Sequence, residues 1–109
     1  MSYDLKIWSS RQMPANNSLL ADAGYKLGND YFVREGNGWQ VVISSFVTVE
    51  PEDIPDTIMQ ALPGISYMTE INIEPISAPD KVRNETLRLF KALATKIKGV
   101  VEDPQDGTI

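Results

Sequence analysis

Two kinds of hydrophobic pattern divide the chain into strands and helices. Apolar and polar side chains alternate over residues 3–8 and 67–74, which is the two-residue period of a strand with one covered face. Residues 30–35 and 39–49 are rich in aromatic and β-branched side chains, and a Gly-Asn-Gly turn at 36–38 separates them. These segments predict two strands and a β-hairpin, with a bulge or bend near Ser45.

Helical spacing appears in two later segments. Ile54, Ile58 and Leu62 recur on one side of a short helix that Pro63 and Gly64 bring to an end. A longer helix follows Ser77-Ala78-Pro79-Asp80, and its apolar positions are Val82, Leu89, Phe90, Leu93, Ala94 and Ile97. We therefore expect two helices, each placed between strands.

The order of the elements favours a single α+β domain over residues 1–109. A helical turn near residues 18–23 and a short strand at 100–101 complete it. Because helices that connect strands favour parallel neighbours while the hairpin is antiparallel, we expect a mixed sheet of four or five strands. With both connecting helices on one face, the predicted architecture is a two-layer sandwich, distantly ferredoxin-like.

Composition and charge limit the chemistry of this domain. The 109 residues include no Cys and no His, which excludes disulfides, thiol nucleophiles, histidine-dependent catalysis and zinc-finger ligand sets. The formal charge is -5 and Lys and Arg are not clustered, so we expect no nucleic-acid partner. The sequence shows neither a signal-peptide pattern nor an apolar run of membrane-spanning length, so we expect a cytoplasmic protein, without a membrane partner or a cofactor.

Two acidic clusters allow both a structural and a functional interpretation. The first contains Glu50, Glu52, Asp53 and Asp56, and the second contains Glu102, Asp103 and Asp106. Carboxylates bind Mg²⁺ or Ca²⁺, but they also stabilise the positive end of a helix dipole, so helix initiation is the favoured role of the first cluster. For the second, a turn started by Asp103 before proline is favoured over a ligand-binding loop.

A third polar group suggests a contact surface. Glu70, Asn72 and Glu74 share one face of the strand at 67–74, where paired carboxylates fit either a glycosidase-like site or, as we favour, a solvated sheet face. Trp8 shares its own strand face with Asp4 and Lys6, which predicts an exposed tryptophan. The candidate binding residues are Trp8, Arg34, Glu70, Asn72 and Glu74. We predict no catalytic or metal-ligating residue.

Several motifs resemble a segment near the start of uncharacterised bacterial proteins. They are VEPEDIP at 49–55, LPG at 62–64, EPI at 74–76, AP at 78–79 and GVVEDPQ at 99–105. The resemblance covers most of the chain from Gly38 onward. It implies that more chain follows the DPQ segment, so that this domain is the N-terminal part of a longer protein. It implies no activity and no catalytic residue.

Three functions are compatible with these observations. The first is a non-catalytic interaction or assembly module that binds a protein partner or a second copy through an exposed sheet face. The second is a small acidic antagonist, of the immunity-protein type, that covers a basic partner, since negative charge speeds encounter with a cation. The third is a hydrolase that uses carboxylates and a divalent ion. We rank them in this order.

Overall fold

The computed structural model describes residues 3–12, 18–28, 31–44, 47–75, 77–103 and 107–108. In these ranges the strands are β1 (Tyr3–Ser9), β2 (Lys26–Leu27), β3 (Tyr31–Gly36), β4 (Trp39–Ser44), β5 (Val47–Thr48), β6 (Tyr67–Glu74), β7 (Gly99–Asp103) and β8 (Gly107–Thr108). The helices are α1 (Ser18–Asp22), α2 (Asp56–Ala61) and α3 (Asp80–Lys96), and a short 3-10 helix, Pro51–Asp53, precedes α2. The chain is therefore a mixed α+β fold, as predicted.

One antiparallel sheet contains all the described strands. Its order is β2-β3-β4-β6-β1-β7-β8, and β5 also pairs with β6. Every described pairing is antiparallel, so the predicted mixed sheet of four or five strands is wrong. The connection through α3 does join two parallel strands, β6 and β7, but β1 lies between them and is antiparallel to both.

The connection through α2 fails to give parallel neighbours because this helix is short. Its six residues advance the chain by only about 9 Å, much less than the length of β6, the eight-residue strand that comes after it. The chain therefore turns back, and β6 runs antiparallel beside β4 and β5. The helix α2 therefore lies within a connection between antiparallel strands and is not a crossover between parallel strands.

The two connecting helices lie on opposite faces of the sheet. On one face, Ile7, Ile71 and Val101 belong to the main core, which also contains Phe90 and Leu93 of α3. On the other face, a second buried cluster consists of Trp8, Ile54 and Ile58, with Val49, Ile65, Met68 and Val100 packed against it. The expectation that both helices share a face is therefore wrong, since Ile58 of α2 packs on the face opposite α3.

The predicted hairpin is confirmed. Gly36 pairs with Trp39, and Asn37 and Gly38 form the turn, with Gly38 at a φ of +80° that glycine adopts without strain. The predicted bulge near Ser45 and the turn at residues 104–106 lie outside the described residues. In the described part of the chain, no helix is long and apolar enough to cross a bilayer.

Candidate interaction surface

Trp8 is a core residue rather than a surface residue. It lies on the same face as Lys6, as its position in the strand predicts, but its side chain is only 3% exposed because Ile54 and Ile58 cover it. Its indole N–H donates to Glu102 Oε1 at 3.1 Å, and the Lys6 ammonium lies 5.9 Å from the ring centroid. The predicted exposure of Trp8 is wrong, and its predicted binding role loses its basis.

Arg34 lies on the opposite face from the other predicted binding residues. It pairs with Val41, a core residue of β4, so its side chain points toward α3. There the guanidinium Nη1 and Nη2 donate to Glu85 Oε2 at 3.3 and 3.4 Å, and its Cζ lies 5.3 Å from the Trp39 ring centroid. Arg34 attaches the hairpin to α3 and does not reach the surface formed by Glu70, Asn72 and Glu74.

Glu70, Asn72 and Glu74 do share one face, as predicted. The Asn72 side-chain amide donates to Asp4 Oδ1 at 2.6 Å and to Glu70 Oε1 at 3.2 Å. Farther along the strand, the Gln40 amide donates to Glu74 Oε2 at 3.0 Å. These bonds join β1, β4 and β6 across one face of the sheet. We call this side of β1, β2, β3, β4, β6 and β7, excluding the buried cluster around Trp8, the open face.

Register extends the open face onto the hairpin, where the one predicted binding residue, Arg34, lies on the opposite face. Asn72 pairs with Val42, Val42 pairs with Val33, and Val33 pairs with Lys26 of the edge strand β2, so this row has an apolar middle between polar ends. Tyr31, two residues before Val33, is 44% exposed. Val33 and Val42 are half-buried. The two-residue period already places Tyr31 and Val33 on one side of the strand, so the signal was present in the sequence.

Three depressions that share Glu35 lie along this part of the open face, and the largest of the three also reaches Trp39 at the end of the hairpin. The largest is about 680 Å³ and is lined by Glu35, Gly36, Gly38, Trp39, Gln40, Glu74 and Pro75. A second, about 290 Å³, is lined by Tyr31, Val33, Glu35, Gln40 and Val42. A third, about 190 Å³, is lined by Gly24, Lys26, Val33 and Glu35. Because Glu35 lines all three, we treat them together as the open-face groove.

Charge on the open face is predominantly negative. Alternation and register place these described side chains on it: the acids Asp4, Glu35, Glu70, Glu74 and Glu102, and the bases Lys6 and Lys26. Two positive against five negative charges leave a formal charge of -3 on this face. Such a face attracts cationic groups and repels phosphates.

The acidic cluster before α2 has the structural role that we favoured. The Glu50 backbone N–H donates to Asp53 Oδ2 at 3.3 Å, which caps the 3-10 helix, and α2 begins at Asp56. Carboxylates in these first turns lie near free backbone N–H groups and stabilise them. Among the described residues, no group of three or more acidic side chains is placed to hold a metal ion.

Asp103 is buried, and the turn that we predict it to start lies outside the described residues. It is the last residue of β7, its side chain is 1% exposed, and its Oδ2 accepts a hydrogen bond from the Tyr3 hydroxyl. The Arg83 guanidinium lies 4.7 Å from the Tyr3 ring centroid. Because a buried carboxylate needs donors, Tyr3 satisfies a group that would otherwise destabilise the sheet.

Tyr25 is a buried polar residue between the sheet and α3. Its ring meets the Phe90 ring edge to face, with centroids 6.3 Å apart, and its hydroxyl has no hydrogen-bond partner of normal geometry among the described residues. Burial raises the pKa of the Tyr25 phenol from 10.0 to about 12, although the nearby Arg34 guanidinium acts in the opposite direction. This phenol therefore stays neutral in the folded protein well into the alkaline range.

Comparison with known proteins adds no relative to this description. No family model matches the sequence, and no curated protein or solved structure matches it at a significant level.

Proposed function

We propose that this chain is a non-catalytic protein-interaction domain that docks a partner on its open face. The observation that carries the proposal is the apolar strip of Tyr31, Val33 and Val42, which is accessible to solvent and bordered by the polar side chains of Lys26, Glu35 and Gln40. An accessible apolar patch with a polar rim is the composition of a protein interface. The absence of Cys and His from the sequence also favours binding over nucleophilic or imidazole-dependent catalysis.

Site-specific photo-crosslinking in the native host tests this proposal. One version of the protein carries p-benzoylphenylalanine in place of Tyr31 on the open face, and a matched version carries it in place of Lys91, which is exposed on α3. We expect a discrete adduct from the Tyr31 position and none from the Lys91 position. We also expect the substitution Val42→Lys to abolish the adduct, because a buried ammonium cannot replace the apolar contact.

Several results would contradict the proposal. They are identical adducts from both positions, adducts that survive Val42→Lys, and no adduct from either position. The thermal midpoint of the Val42→Lys variant is measured in parallel, and a second substitution, Val33→Ser, repeats the test at the neighbouring position. An adduct of twice the chain mass would identify a second copy as the partner. The proposed interaction role would then stand.

We further propose that the part of the fold made by β6, α3, β7 and β1 is a distant ferredoxin-like arrangement. The arrangement of β6, α3 and β7 supports this, because two parallel strands joined by a helix enclose a third strand, β1, between them. Leu20 of α1 and Phe90 of α3 belong to the same core cluster, which supports one principal helical layer. An experimental structure in which β1 does not lie between β6 and β7 would contradict this relation.

A further inference from the structure

The open-face groove has an apolar floor at Val33 and Val42 and an acidic end at Glu35 and Glu74, and Lys26 borders the floor on the side of β2. Val33 and Val42 form one cross-strand row, and Glu35, Gln40 and Glu74 form the next row of the same face. Successive rows on one face are two residues apart, about 6.5 to 7 Å. Alternate residues of an extended peptide have the same spacing, so an apolar side chain over Val42 places the side chain two residues away beside the carboxylates.

We propose that the open-face groove binds an extended, basic segment of a protein partner, with an apolar side chain over Val33 and Val42 and a Lys or Arg between Glu35 and Glu74. This proposal rests on the interaction role proposed above and specifies the partner. Glu35 and Glu74 are both exposed. The Gln40 amide donates to Glu74 and orients it at 3.0 Å. Carboxylates in this setting bind an ammonium or a guanidinium by charge-assisted hydrogen bonds.

The charge of the open face disfavours two other occupants. Face-to-face docking of a second copy brings together two surfaces with a formal charge of -3 each, since the open face of each copy carries five acidic and two basic side chains. Like charges across an interface oppose association. A nucleic acid meets the same repulsion because its phosphates are negative. A basic protein segment is the occupant that this charge pattern complements.

Titration of the isotopically labelled chain with a synthetic peptide tests the proposal. In the peptide, valine and arginine are two positions apart, so that they lie on one side of the extended chain, and a serine separates them. A control peptide has glutamate in place of arginine. We expect backbone amide shifts to cluster at Val33, Glu35, Gln40, Val42 and Glu74 for the arginine peptide alone. We expect the double substitution Glu35→Gln/Glu74→Gln to weaken binding about tenfold.

A matched double variant separates this site from general charge attraction. Asp22→Asn/Glu52→Gln removes the same charge from exposed positions on α1 and the 3-10 helix. We expect it to change the dissociation constant by less than about twofold. Amide spectra of each variant confirm that it is folded before the titration.

Four outcomes overturn the basic-segment proposal: no binding of the arginine peptide, equal binding of the glutamate peptide, equal weakening by both double variants, or shifts spread along the acidic segment before α2. If any of them occurs while the Tyr31-position crosslink is retained, the interaction role stands and only this partner class is wrong. If the crosslink is absent as well, both proposals are wrong.

Discussion

The Arg34 guanidinium lies 5.3 Å from the centroid of the Trp39 ring while it also forms an ion pair with Glu85 at 3.3 Å. This arrangement links the outer hairpin to α3, because Arg34 and Trp39 are on β3 and β4 and Glu85 is on the helix. Planar stacking and forked hydrogen bonding are properties of arginine that lysine lacks. The hairpin carries the open-face groove, so its attachment to α3 bears on the candidate site.

We expect Arg34→Lys to lower the free energy of unfolding by about 1 kcal/mol, because the ring contact and the fork to Glu85 are weakened together. Urea denaturation measures this change. Lys81 contacts the same Glu85 at 4.0 Å but is 85% exposed, so Lys81→Ala should change stability by less than about 0.5 kcal/mol. Equal losses from the two substitutions would show that the Trp39 contact contributes nothing.

Trp8→Ala should destabilise the fold rather than merely weaken association. Truncation removes the centre of the cluster with Ile54 and Ile58 and leaves a cavity, which costs about 3 to 5 kcal/mol for a buried tryptophan. Thermal and urea unfolding measure it. Met59→Ala, on the exposed side of α2, should cost less than about 0.5 kcal/mol. An unchanged midpoint for Trp8→Ala would contradict the packing of α2 over β1.

Tyr3 and Asp103 should be energetically coupled. Tyr3→Phe removes the donor to a buried carboxylate, and Asp103→Ala removes the acceptor, so each should cost about 1 to 3 kcal/mol. The double variant should show a coupling energy of at least about 0.5 kcal/mol in a double-mutant cycle. As a control, Tyr3→Phe should be additive with Glu102→Ala, whose side chain lies on the opposite face. Additivity in both cycles would rule out the bond as a stabilising contact.

Stability should fall in strongly alkaline solution because of Tyr25. The pKa of this phenol rises from 10.0 to about 12 on folding, so the stabilisation is complete below pH 10 and is lost as pH rises toward the folded value. The loss due to this group is on the order of 2 to 3 kcal/mol. Tyr25→Phe removes the ionisable group, so its unfolding free energy should decline less between about pH 9 and pH 12. Identical pH profiles for the two proteins would contradict this assignment.

Millimolar Mg²⁺, Mn²⁺ or Ca²⁺ should leave the thermal midpoint unchanged. In the described ranges no three acidic side chains converge, and the carboxylates of Asp4 and Glu70 already accept bonds from Asn72. An ion that prefers the folded state would raise the midpoint as its concentration increases. A saturable rise would revive the metal-dependent hydrolase as a function for this chain.

Local patterns predicted the longer strands and the helices, but they missed the short strand β2 and did not predict which residues are buried. The two-residue period correctly places Trp8 on the face of Asp4 and Lys6. It cannot show that Ile54 and Ile58, which lie far along the chain, fold over that face and bury the ring. The prediction that Arg34 lies with Glu70, Asn72 and Glu74 is wrong for a different reason. The pairing of Gly36 with Trp39 fixes which residues of β3 face the core, and Arg34 is one of them. A two-residue turn fixes the register of the hairpin and therefore the face on which each residue lies, so the position of Arg34 was deducible from the sequence.

The central position of β1 constrains the order in which this protein folds. β1 emerges early from the ribosome, but its neighbours are β6 and β7, which are encoded much later. The hairpin of β3 and β4 is local and forms as soon as its residues are available, whereas the central strand must wait for most of the chain. Closing such long loops is slow, so we expect the pairing of β1 with β6 and β7 to limit the folding rate. Until then its apolar residues Leu5 and Ile7 are exposed to chaperones and to other nascent chains.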